Sequence, residues 1–78
     1  MNPEINKLIQ QFISGANTSL GAANAIEVAL DDNYPDDDFV QQTVEMLAMY
    51  RPEGGDFLFD TAAIKVRLAE TIEYLNRH

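Results

Sequence analysis

Cysteine is absent from the 78 residues, which excludes a disulfide scaffold, a thiolate zinc site and a cysteine nucleophile. Cationic residues are few: 5 Lys or Arg stand against 13 Asp or Glu, a formal net charge of −8. That balance argues against direct nucleic-acid binding and against anionic membranes, because both repel an acidic surface. No apolar run approaches the roughly 18–20 residues of a membrane span. The start, Met1-Asn2-Pro3-Glu4, lacks the basic region of an export signal, so a cytoplasmic location is expected. The single histidine, His78, is the last residue, where a general base or ligand is poorly held. No His-Glu-x-x-His, no dinucleotide fingerprint and no Ser–His arrangement occurs, so neither enzymatic activity nor a cofactor is expected.

What is present is periodic apolar residue. Hydrophobic side chains make up 46% of the chain, enough to fold rather than remain disordered. A chain this short builds one domain with a thin core, which needs well-packed helices or added burial from a partner.

The spacing predicts four helices. Asn2 caps the first, Pro3 opens it, and Ile5, Leu8, Ile9, Phe12 and Ile13 line one face before Gly15 stops it. The second runs from Thr18 or Ser19 to about Asp31, with Leu20, Ala23, Ile26, Val28 and Leu30 as its larger apolar residues. Gly21, Ala25 and Ala29 recur every four positions, a strip that predicts close approach of a neighbouring helix; a functional groove is the other reading. The third follows Pro35: Asp36, Asp37 and Asp38 supply its cap and first-turn acids. Phe39, Val40, Thr43, Val44, Leu47 and Tyr50 form its stripe, with Arg51 near its end and Pro52 blocking continuation. The fourth starts after Asp60, with Phe59 and Ile64 spaced as a hydrophobic staple, then Leu68, Ile72 and Leu75, and Glu73 paired with Arg77. No segment reads as a strand. The expected class is all-α: a small four-helix domain of two antiparallel helix hairpins, spanning residues 1–78. An echo at an offset of 38 residues relates Ala25–Leu30 to Ala63–Leu68, and Leu8, Ile9 and Phe12 to Met46, Leu47 and Tyr50. It reads either as duplicated hairpins or as the spacing that any two amphipathic helices share.

The acids are unevenly placed. From Leu8 to Tyr50 there is no Lys or Arg, while Glu27, Asp31, Asp32, Asp36, Asp37, Asp38 and Glu45 contribute −7. An EF-hand loop from Asp31 fails, because Pro35 replaces a ligand and both the turn glycine and the bidentate glutamate are missing. Asp36, Asp37 and Asp38 have an ordinary duty at a helix start. Asp31 and Asp32 do not, since carboxylates are unfavourable at a helix C-terminus.

The leading expectation is a non-enzymatic interaction module that presents an acidic surface to a basic protein. Asp31, Asp32, Asp36, Asp37 and Asp38 would steer the encounter, and Tyr34, Phe57 and Phe59 would supply apolar anchors. Phe57, Leu58 and Phe59 also read as a plug for one end of the bundle. A second expectation is a structural homodimer through Val28, Met46, Met49, Tyr50 and Val66, whose acids serve solubility. A third is a calcium-dependent carboxylate site.

The segment Pro52-Glu53-Gly54-Gly55-Asp56-Phe57-Leu58-Phe59, following an acid-started helix, resembles the corresponding stretch of the nuclease-colicin immunity proteins, which are small, acidic, helical inhibitors. With the flanking helix the likeness covers about a third of the chain. In that family paired tyrosines carry much of the binding; Phe59 and Asp60 occupy those places here, and one more helix precedes the loop. The resemblance implies a type of surface, with immunity-type or nucleic-acid-mimicking inhibition as its special cases, and not membership.

Overall fold

The computed structural model describes residues 2–77. Asn2 Oδ1 accepts the Glu4 amide at 2.8 Å and starts α1, Pro3–Ile13. The Ser19 hydroxyl accepts the Ala22 amide and starts α2, Leu20–Asn33. Asp37 Oδ1 does the same for Val40 and α3, Asp38–Ala48, and Asp60 Oδ1 for Ala63 and α4, Thr61–Arg77. Each cap satisfies an N–H that the helix itself leaves without a partner. Glu73 and Arg77 form the predicted pair. Among the described residues the only extended pairing is an isolated parallel bridge between Tyr50 and Phe59.

Each helix packs on its chain neighbours, and α1 meets α4, so the four close into a ring in which no Cα atoms come within 8 Å across either diagonal. Side-chain bonds fix the direction. At one end Tyr50, after α3, reaches Thr18 before α2 and Thr61 at the start of α4. At the other, Asp37 before α3 meets Tyr74 near the end of α4. The helices therefore alternate up and down as two antiparallel hairpins. Ile5, Ile9, Phe12, Ile26, Leu30, Val40, Leu47, Ile64 and Leu68 fill the ring's interior. The 38-residue echo carries into packing: Ile26 and Leu30 are buried around an exposed Val28, as Ile64 and Leu68 are around an exposed Val66.

Three expectations are corrected. Gly21 and Ala25 face solvent and only Ala29 packs against the core, so the strip as a whole is not a helix–helix seam. A Cβ added at Gly21 would meet only the Ser19 side chain. Leu20 is exposed, because Ala23, Ile26 and Leu30 already complete the buried face of α2; Val28 is exposed too, as its assignment to a dimer surface requires. Helix α3 ends two residues early: the Met49 and Tyr50 amides tighten onto Met46 and Leu47, and the chain turns into the bridge with Phe59.

Candidate partner-binding surface

The acidic end is built around the α2–α3 turn. Helix α2 runs on to Asn33, whose side-chain amide donates to the Ala29 carbonyl at 2.8 Å. Asp31 and Asp32 thus lie within its last turn, at the negative pole of the helix. Asp31 has a compensating duty: Gln41 Nε2 donates to its Oδ1 and to the Tyr34 carbonyl, both at 3.1 Å, tying the turn to α3. Asp32 has none. It stands on the rim of a groove between α1 and α2, facing Glu4 on the other wall. Asp36 and Asp38 are exposed, and neither they nor Asp31 and Asp32 form an ion pair with a described residue. Asp37 is half-buried at its cap, and Tyr34 is half-buried against the core. Among the described residues no three carboxylates converge as a metal-ion cage.

Beneath this end lies a network that sequence reasoning missed. Phe39 is held between two side chains seven residues apart on α4: its ring stacks on Tyr74 at 4.5 Å, and the Arg67 guanidinium lies 3.9 Å from its centroid. Arg67 Nε donates to Thr43 Oγ1 and its NH2 to the Phe39 carbonyl, both at 2.8 Å. Thr71 donates to the Arg67 carbonyl at 2.8 Å, which leaves its Oγ1 to accept from Thr43 at 2.9 Å. The donors run in one direction, from Arg67 through Thr43 and Thr71 back to Arg67, with each hydroxyl proton used once. The legible signal was polarity on an apolar stripe: Thr71 sits three residues after Leu68 and is fully buried.

The Tyr74 hydroxyl donates to Asp37 Oδ2 at 2.7 Å. That bond, then lost hydration, then the negative charges of Asp37 and Asp38, hold the phenol above its ordinary 10.0. A raised folded value favours the neutral form, so the contribution to stability is complete below pH 10 and is lost as pH rises through the folded value. Denaturant unfolding of the wild type and of Tyr74→Phe is expected to show a smaller alkaline loss in the variant. Equal losses would rule Tyr74 out as the titrating group.

The glycine loop lies at the opposite end, so the two sets of candidate anchors are separated by the length of α3, about 16 Å at the helical rise. Arg51 N–H donates to the Phe59 carbonyl and Phe59 N–H to the Met49 carbonyl, which closes the base of the loop. Phe59 packs against the core. Phe57 does not plug the end: it is 90% exposed, with φ +65°, a left-handed conformation unfavourable for an aromatic residue. Glu53, Asp56 and Asp60 share its loop.

Tyr50 cannot serve a dimer interface. It is fully buried, edge-on to Phe12 at 5.3 Å, and its hydroxyl donates to the Thr18 carbonyl at 2.7 Å. Met46 is half-buried on the core, whereas Val28, Met49 and Val66 are exposed. Val28 and Val66 stand on α2 and α4, which lie diagonally across the ring. His78 lies outside the described residues. No described helix is long and apolar enough to cross a membrane.

Compared with known proteins, the chain matches no protein family, no curated sequence and no solved structure. The likeness of residues 52–59 to immunity proteins rests on those residues alone.

Proposed function

We propose that the protein is a non-enzymatic interaction module that receives a basic protein at the α2–α3 end of its bundle. One observation carries the reading: Asp32, Asp36 and Asp38 are exposed at one end and form no ion pair with a described residue, where α1 also brings Glu4. A field of one sign concentrated at one end speeds the encounter with an oppositely charged partner and repels others. Inhibition of a nuclease, or mimicry of a nucleic-acid backbone, is the special case in which that partner itself binds nucleic acid. The homodimer reading rests on the exposure of Val28, Met49 and Val66, and sedimentation at several concentrations decides it.

Asp37 is a cap and must be spared, so the informative variant is Asp36→Asn with Asp38→Asn. For a partner captured from native extract, association is expected to slow by about tenfold in the variant and to lose much of its salt dependence. The unfolding midpoint should fall only slightly, because Asp38 is the first-turn acid of α3 while the cap at Asp37 is kept. A variant that associates at the wild-type rate would remove the acidic end from the mechanism.

A further inference from the structure

We propose that the groove between α1 and α2 at the acidic end seats a basic amphipathic helix of the partner. The inference rests on the interaction reading above and adds to it a site and an occupant. The groove has a volume of about 580 Å³, more than twice that of either other surface depression described. Ile5 and Leu8 from α1, with Ala25, Val28 and Ala29 from α2, give it an apolar floor. The small side chains of Ala25 and Ala29 line it and leave room above that floor.

Charge selects the occupant. Glu4 stands on one wall and Asp32 on the other, both exposed and neither in an ion pair with a described residue. An apolar floor between two acidic walls complements an apolar stripe flanked on both sides by Lys or Arg. A helix is required rather than an extended segment. The walls are helices whose backbone groups are already paired, so an extended peptide would bury N–H and C=O groups with no partner, whereas a helix brings its own. The lining spans residues 25–33 of α2, about 13 Å at the helical rise, which fits roughly two turns and anchors at i, i+3 or i+4, and i+7. A second copy is a poor occupant: it carries the same −8, and no Lys or Arg occurs between residues 8 and 50.

Binding can be measured with a peptide of roughly 14 residues, end-capped to favour helix, with Leu at i, i+3, i+4 and i+7 and Lys elsewhere. The same residues in scrambled order, and a version with Glu for Lys, are the controls. The patterned peptide is expected to bind about tenfold more tightly than the scrambled one, the Glu version not at all, and amide shifts should move at residues 5–8 and 25–32. Ala25→Gln changes an exposed helical position and fills the floor. It should weaken the patterned peptide by about tenfold, leave the scrambled one unaffected and keep the unfolding midpoint. Equal affinities for the two cationic peptides, no effect of Ala25→Gln, or shifts confined to residues 34–38 would overturn the groove while leaving the acidic-end reading standing. Failure of both cationic peptides to bind would overturn both. Concentration-dependent shifts at 25, 28 and 29 in the protein alone would give the groove to a second copy and also overturn the proposal.

Discussion

Tyr50→Ala is expected to lower the unfolding free energy by about 3–5 kcal/mol, out of the roughly 4–12 kcal/mol that a chain of this length holds. The loss has two parts. The ring fills the interior against Phe12, and the hydroxyl joins three chain segments: the end of α3, the turn before α2 and the start of α4. A carbonyl can only accept, so the tyrosine proton goes to Thr18, and the Thr61 hydroxyl must donate to the tyrosine oxygen. Tyr50→Phe keeps the ring and removes both bonds, with an expected cost of about 1–2 kcal/mol. Urea unfolding of the two variants separates packing from hydrogen bonding. If Tyr50→Phe costs as much as Tyr50→Ala, the ring contact has no share in the stability.

The second large effect is an asymmetry between two threonines that face each other. Thr43→Val removes the acceptor of Arg67 Nε while leaving the cation in place, and should cost about 2–3 kcal/mol. Thr71→Val should cost about 1 kcal/mol, because Thr43 can then donate to the Phe39 carbonyl, already 3.3 Å away. The Arg67 carbonyl remains within the backbone ladder of α4. The double variant should cost less than the sum of the singles, since the Thr43–Thr71 bond is lost only once. Equal costs for the single variants would show that Arg67 takes its support from Phe39 alone.

Much of the architecture was legible because helices write their buried faces at a fixed period and their starts in a few residue types. Asn2 and Asp60 are legible as caps from sequence, the cap of α3 only as one of Asp36, Asp37 and Asp38, and the stripes of α1 and α3 hold the residues that are buried. Periodicity also placed Tyr50 on a stripe, which conflicts with its assignment to a dimer surface. Packing resolves the conflict, because the partners of its hydroxyl come from 32 and 11 residues away and no local pattern shows them. The Gly21–Ala25–Ala29 strip misled for a related reason. Small residues permit close approach, but which neighbour accepts it depends on the ring closing through α1 and α4. Arg67 was hidden by its charge: a cation reads as solvent-facing, and only the placement of Phe39 and Thr43 provides the face and the oxygen that hold it. Of the candidate site, the acids were visible as composition. Their division into Asp37 as cap, Asp31 as tie and Asp32 as rim required the fold.

The bridge between Tyr50 and Phe59 has a consequence for the entropy of association. A connection of this length left open would sweep its tip through a wide volume, and a partner would have to arrest that motion on binding. Here the neck is fixed by the Arg51 and Phe59 amides, and the Gly54 and Leu58 amides bond within the tip at 2.9 and 3.1 Å. Most of the ordering is therefore completed when the bundle folds. Phe57 is presented on a short tethered tip, with less freedom left to lose than its exposure alone implies.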